Sequence, residues 1–419
     1  MKERLKSFTA VFYTPILIYF VLFVTISLLA ISASSPLSHV QVQGQNFVTR
    51  QAIFFLIGAI AAFLVMLMGM KLLRFSRWLI YSICLGALLL IFFIGDNSFE
   101  GCAATPGMLI PCINGATRWI DLGFINLQPS EFMRIALILL VADIIQRHNE
   151  KFLHEKRTFT TDLWLIIKSL AIVLIPAAFI FQQRDSGITI LILITTAIML
   201  IASGIKWSYI IVVGGGAVFL TITFITLARY SPEVLVESNL VEPYQLSRFT
   251  GWFDPFATIS GYGHQLALGL QAMGTGGLFG HGFASNFLSF PEAHTDFIFA
   301  VIGMDFGLVG SAFVIIVSLL FNFVILKTAV LNRDHYTSHV CVGIFGSLLA
   351  QQFWNMGMVL GILPISGVTL PFISHGGSSV LASMIMLGIV LSSHVEGLTI
   401  KRNNTVFRED IVYFEGKSV

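Results

Sequence analysis

The chain reads as an all-α integral membrane protein of about ten transmembrane helices, on three observations. Of its 419 residues, 56% are hydrophobic and 11% are charged, against about a quarter charged in ordinary globular chains. That leaves too little polar surface to cover a soluble domain of this size. Apolar windows of the roughly 20 residues needed to cross the hydrocarbon core fall at roughly 12–34, 51–70, 75–94, 129–146, 162–181, 187–204, 207–228, 297–326, 339–361 and 378–398. With the N-terminus in the cytoplasm, 17 of the 24 Lys and Arg residues fall in inside segments. Only Arg50, Arg118, Arg184, Arg229 and Arg248 fall outside, while Arg134 and Lys168 lie within spans. This positive-inside bias puts both termini in the cytoplasm.

Taken in order, the first span follows MKERLK. Its apolar stretch exceeds the 7–15 residues of a signal-peptide core, so it reads as a retained helix. Cys84 and Cys341 fall in spans, whereas Cys102 and Cys112 flank an outside loop in an oxidising compartment, where a local disulfide and two free thiols are equally open. Residues 1–400 form one membrane domain and 401–419 a short cytoplasmic tail of mixed charge. A Walker-type phosphate loop is absent, which argues against ATP-driven transport. Two outside segments, 95–128 and the large loop 229–296 between helices 7 and 8, are far longer than connections require. Loops of that length are commonly functional, and they point to work at the outer leaflet. Within the second, Gln265–Met273 has the pattern of a short amphipathic helix.

The stretch FPEAHTDFIFAVIGMDFGLVG, residues 290–310, holds the first candidate. Thr295 and Asp296 are sufficient to cap the following helix. Yet Glu292, His294 and the glycine-rich 274–282 crowd into the same loop, and a partly desolvated carboxylate there suits a general base. Asp305, nine residues on, is about 13 Å deeper along a straight helix and should face the bundle interior, as either a packing or a functional residue. Gly303, Gly307 and Gly310 form a stripe that would admit a neighbouring helix. In NGATRWIDLGFINLQPSEFMRIALI, residues 114–138, Glu131 and Arg134 are spaced i, i+3 to pair on one helix face. Arg118 and Trp119 sit at the outer interface as anchor or phosphate ligand. The same ambiguity holds for Arg248, Trp252, Asp254 and Pro255. The QQRDSG turn at 182–187 carries Arg184 and Asp185, polar residues that a turn needs in any case. Residues 361–387 read as a re-entrant or tightly packed loop. Ser374 and His375 lack the G-x-S-x-G context of a hydrolase, and His264, His281, His294 and His375 are too scattered for a zinc motif.

Together, NGATRWI (114–120), QPSEFMRI (128–135), RFTGWFDP (248–255), GTGGLFGHG (274–282), PEAHTDFIFAVIG (291–303) and LPFISHGGSS (370–379) resemble the SEDS family of RodA, FtsW and SpoVE, with a RodA-like cast. The resemblance implies a peptidoglycan glycosyltransferase in the bacterial plasma membrane that joins lipid II units and releases undecaprenyl diphosphate. It implies a class B penicillin-binding protein as transpeptidase partner, and no nucleic acid. It marks Asp296 as the catalytic base, and Arg118, Trp119, Glu131, Arg248, Ser374, Gly376 and Gly377 as substrate-binding residues. A divalent cation, Mg or Mn, would suit the leaving diphosphate, but no ligand set is legible. Alternatives are a lipid II flippase using Arg134 and Asp305, or a scaffold for the transpeptidase. The concentration of unusual residues outside favours chemistry. The chain departs from the family pattern at Met304–Asp305, where two glutamates are frequent, at Ile365–Ser366, and at His375 in place of a common tyrosine.

Overall fold

In the computed structural model, residues 15–34, 46–95, 108–113, 115–123, 125–152, 158–237 and 243–415 are described, with side chains omitted at 243–245 and 398–415. Helices dominate: α1 (Pro15–Ser34), α2 (Phe47–Ile94), α3 (Pro129–Lys151), α4 (Phe159–Gln182), α5 (Ser186–Ala202) and α6 (Trp207–Tyr230) are followed by the short α7 (Pro232–Glu237), α8 (Pro243–Phe253) and α9 (His264–Thr275). Then come α10 (Ile298–Leu331), α11 (His335–Val359) and α12 (Gly377–Glu415). A two-residue antiparallel ladder pairs β1 (Ile120–Asp121) with β2 (Asn126–Leu127) just before α3.

Helix starts follow local chemistry. Asn46, Asp185 and Asp334 each accept the backbone N–H three residues on, Thr158 and Thr161 form a reciprocal capping box, and Pro129 opens α3 at a position that needs no N–H donor. Among the described residues, six helices are long and apolar enough to cross a membrane: α1, α2, α4, α6, α10 and the Gly377–Gly397 part of α12. Those that fall short lie inside the bundle or are brief. α3 carries Glu131, Arg134, Asp143 and Arg147 and buries 16 of its 23 residues. α11 buries Gln351, Gln352 and Asn355. A helix surrounded by protein need not be oily, whereas one facing lipid must be. α6 is the opposite extreme, burying only Tyr209 and Ala228. Large apolar side chains such as Phe75, Phe93 and Phe219 stand exposed around the periphery, as lipid contact requires.

Glycines break two of these helices, one at the junction of the windows 51–70 and 75–94 and the other within 297–326, which hydropathy does not divide. Gly69 (φ 74°, ψ 164°) interrupts α2. The Gln51 amide nitrogen donates to the Ser374 carbonyl, and the Leu88 carbonyl accepts from Gln183 beside the 115–118 segment. Both ends of α2 thus reach one face, and the chain turns back at Gly69, two residues before the cationic Lys71–Arg74 stretch. Gly307 (φ 63°, ψ −155°) interrupts α10. Of the expected stripe, Gly303 faces Met273 of α9, Gly307 admits the 278–280 loop, and Gly310 faces Phe306 and Ile302 of its own helix. The N–H groups of Leu308 and Val309 donate to the carbonyls of Gly277 and Leu278, and those of His281 and Gly282 donate to Met304 and Asp305. Asp305 is not a residue deep in a straight helix. It sits at the break and accepts from the Ala284 and Ser285 amides and the Ser285 hydroxyl. The 361–376 segment is irregular and deeply buried at Val368, Leu370, Phe372 and Ile373, as a chain without helical self-pairing must be when enclosed by protein. Cys112 is disulfide-bonded, Cys84 and Cys341 are free thiols, and Cys102 lies outside the described residues.

A Cβ at Gly307 would stand 2.5 Å from the Gly280 nitrogen and 2.6 Å from the Leu278 carbonyl, and its backbone region is nearly exclusive to glycine, at about 1–3 kcal/mol of strain. Gly307→Ala is expected to lower the thermal midpoint of the detergent-purified protein by several degrees. Gly86→Ala, in open space, leaves it unchanged; equal midpoints for both variants would contradict the docking of 277–285 at the break.

Candidate active site

Asp296 lies in a turn, residues 291–297, that feeds α10. Glu292, in the left-handed region at φ 54°, closes this turn: its carbonyl accepts the Thr295 and Phe297 N–H groups and its carboxylate accepts the Thr295 hydroxyl at 2.5 Å. The backbone of three successive residues is then clamped from three directions. The His294 carbonyl accepts the His375 N–H (2.9 Å), the Thr295 carbonyl the Ser374 hydroxyl (2.6 Å), and the Asp296 carbonyl the Asn355 amide (2.8 Å). Asn355 also donates to the Val368 carbonyl (2.6 Å), so α11 holds the turn and the 361–376 segment together.

The Asp296 carboxyl is pushed up to about 7, first by burial and then by Glu292 and Asp185, against the opposing pull of Arg118 and Arg248. Gly367 (φ 70°) lies directly against it, 3.5 Å from the carboxylate to the place a Cβ would occupy. Arg118 is fastened by the Gln183 and Arg184 carbonyls and lies 5.8 Å from the Trp119 ring. The chain reaches those carbonyls through Arg184, again left-handed at φ 61°. Among the described residues, positive φ at non-glycine positions occurs at Arg184, Glu292 and Phe372, on segments that frame Asp296, and at Ala284 and Asn286, in the loop seated at Asp305.

A buried polar chain extends from this face. Asp185 accepts from the Gln128 amide (2.8 Å) and the Ser130 hydroxyl (2.9 Å) while capping α5. Next along α3, Glu131 pairs with Arg134 at 2.8 Å, both almost wholly buried. Arg134 donates to the Gln351 side-chain carbonyl (2.7 Å), the Gln351 amide donates to the Thr369 carbonyl (3.1 Å), and Thr369 meets the Ser379 hydroxyl (2.7 Å). On the other flank, the His375 ring nitrogen Nδ1 lies 3.1 Å from Gln51 Oε1. The Gln51 nitrogen faces the Ser374 carbonyl, so the oxygen faces His375 and Nδ1 carries the proton. Burial, His294 and Arg50 hold His375 down to about 4, which keeps it neutral.

Of the residues expected from sequence, Arg118 and Arg248 lie in electrostatic range of Asp296. Trp119 stays with Arg118. Glu131 is engaged with Arg134 below the site, and Ser374 is a clamp, accepting the Leu370 N–H as it donates to Thr295. Gly377 packs on Ile125 and Phe54 at the start of α12, and Gly376 faces only Ser379. Trp252 donates to the Gly361 carbonyl, and Asp254 caps the following turn at Ala257. Asn355, Gln128 and Gln351 join the site without having been candidates, and Asp185 joins it although a turn alone accounts for its polarity. Asp185 reads as ordinary turn polarity in QQRDSG, and the one available signal was the run of Gln351, Gln352 and Asn355 in an otherwise apolar window. As for a divalent cation, no three His, Cys, Asp or Glu side chains group as ligands among the described residues.

An apolar shell of helices around buried ion pairs defines a multi-pass membrane protein. The chain belongs to the FtsW/RodA/SpoVE family of cell cycle proteins, whose family model matches residues 13–397. It is 28% identical over 410 residues to the probable peptidoglycan glycosyltransferase FtsW of Wigglesworthia glossinidia brevipalpis, covering 94% of this chain and 97% of the relative. It is 29% identical over 352 residues to the stage V sporulation protein E of Bacillus subtilis strain 168, covering 83% and 86%. In structure it is similar to a chain from a peptidoglycan synthase complex that coordinates polymerization and crosslinking (TM-score 0.69, 22% identity, 91% of this chain and 97% of that one). It is likewise similar to the Thermus thermophilus rod shape determining protein RodA (TM-score 0.61, 20% identity, 90% and 95%).

Removing one partner of the Glu131–Arg134 pair strands a buried charge, at about 3–5 kcal/mol. Glu131→Ala should therefore destabilise the protein strongly, and the double variant Glu131→Leu/Arg134→Met far less. A double-mutant cycle on thermal midpoints checks this, and additive losses would contradict the pairing.

Proposed function

We propose that this chain polymerises lipid II into glycan strands at the outer leaflet, with Asp296 as general base. The observation that carries the reading is a carboxyl poised near 7 on a clamped turn, within reach of two arginines. A base whose pKa matches the working pH combines adequate ionisation with adequate proton affinity. In the step, the 4-hydroxyl of an acceptor sugar attacks the anomeric carbon of the donor and its proton passes to Asp296. The anomeric carbon–oxygen bond to the lipid diphosphate breaks, and the electron pair leaves with undecaprenyl diphosphate. Arg118 and Arg248 offset the charge that collects on that diphosphate. Trp119, Glu131, Ser374, Gly376 and Gly377 complete the substrate cavity, either at its wall or by holding that wall in place.

In this reading ten helices cross the membrane within one domain, residues 1–400. Both termini and the 401–419 tail lie in the bacterial cytoplasm, and the 229–296 loop bears the site outside. The partner is a class B penicillin-binding protein that crosslinks the strands, and the role is RodA-like, in elongation. A transport reading would draw on Arg134 and Asp305. Those charges are engaged by Glu131 and Gln351 and by the 284–285 segment, which favours chemistry.

The test is glycan-strand synthesis from purified lipid II by wild type, Asp296→Asn and Asp296→Ala, each with and without the transpeptidase. Both variants should lose about 10²–10⁴-fold, and undiminished product from Asp296→Ala would sink the assignment. Because only the ionised carboxylate accepts a proton, the wild-type rate should fall as pH drops below about 7. A rate flat from pH 5 to 8 would remove the base role from Asp296.

A further inference from the structure

A cavity of about 620 Å³ lies between α3 and α4, far from Asp296. Its walls are two matching helix faces. Ile144, Arg147, His148 and Lys151 recur at i, i+3, i+4 and i+7 on α3, and Thr161, Trp164, Leu165 and Lys168 do so on α4. α3 is 23 residues long, about 35 Å, and its first turn belongs to the Asp296 face. The cavity therefore opens at the opposite membrane face.

The charge around it is strongly one-sided. Arg147, Lys151 and Lys168 line it. The nearest carboxylates are already claimed: Asp143 is bound at once by Arg74 (2.9 Å), Arg77 (3.0 Å) and Arg147 (2.8 Å). Asp162 is fully buried, accepts the Lys206 N–H through one oxygen and leaves the other without a hydrogen-bond partner 3.9 Å from His148, sealed away from the cavity, while Glu150 accepts from Gln146. The connector, LHEKR at 153–157, holds one carboxylate against two cations in sequence and brings no surplus of negative charge. Lys168 makes the demand sharper. It stands nine residues into α4, about 14 Å along the helix, at a depth where an ammonium is costly unless it reaches a polar partner.

We propose that this cavity binds an anionic phospholipid, its phosphate held by Lys151, Lys168 and the free edge of Arg147, and its first chain segments lying on Trp164, Leu165 and Ile144. The volume far exceeds that of a phosphate ion, and the apolar wall joins the lipid-facing surface, so the occupant is a lipid and not a soluble anion. Basic recesses between transmembrane helices serve acidic headgroups in this way.

Trp164 supplies the readout. The full chain is placed in phosphatidylcholine nanodiscs containing matched fractions of acyl-brominated phosphatidylglycerol or acyl-brominated phosphatidylcholine. The Trp164 signal is taken as wild type minus Trp164→Phe. Quenching should favour the anionic lipid, with each lysine contributing roughly fivefold to the preference. It should vanish in Lys151→Gln/Lys168→Gln and persist in Lys151→Arg/Lys168→Arg. Equal quenching by the two lipids overturns the proposal, as does a preference that survives the glutamine variant. Relief of quenching by millimolar inorganic phosphate would show a soluble-anion site and overturn the lipid assignment.

Discussion

The guanidinium of Arg134 organises the interior. A cation buried in a membrane protein must be neutralised, or the helix that carries it will not stay in place. Here neutralisation comes from Glu131 one turn earlier on α3, and a further acceptor comes from Gln351 on α11. Gln351 then reaches Thr369, and Thr369 reaches Ser379 on α12. One charge thereby links three helices and the irregular segment between the last two. Asn355 projects from α11 one turn beyond Gln351 and holds the carbonyl of Asp296, so the position of the Asp296 turn traces back to that buried ion pair.

This arrangement separates two tasks that acidic residues perform near the site. Asp185 and Glu131 are stationary, fixed by hydroxyl, amide and guanidinium donors. Asp296 has its backbone fixed while its carboxyl keeps an affinity for protons near neutrality. Backbone strain at Arg184, Glu292 and Phe372 is sustained by the surrounding hydrogen bonds, the pattern expected where geometry has been set for a reaction at some expense to local stability.

Hydropathy located the helices because lipid contact demands apolar side chains. Apolarity is a summed property of long segments and survives in a single sequence. The pairing of Glu131 with Arg134 was legible too, being local and set by helix pitch. What escaped were contacts between distant segments. Nothing in QQRDSG says that Asp185 will meet Gln128 and Ser130, and nothing near Gly307 says that a loop from 277–285 will seat itself in the broken helix. The windows 51–70 and 75–94 already part at Gly69, but the glycine that interrupts α10 is invisible to an average over a window, although its backbone geometry is one that only glycine adopts readily.

The contrast between α3 and α6 has a consequence for how such a chain drifts over generations. Along α3 nearly every side chain has a protein neighbour of defined shape or charge, so few positions can change alone. Along α6, with two buried residues in 24, the neighbour is fluid hydrocarbon, which accepts leucine, valine or phenylalanine alike. Substitutions should therefore accumulate fastest in one of the most apolar helices and slowest in one of the most polar, the reverse of the order in water-soluble proteins, where oily cores are the guarded positions.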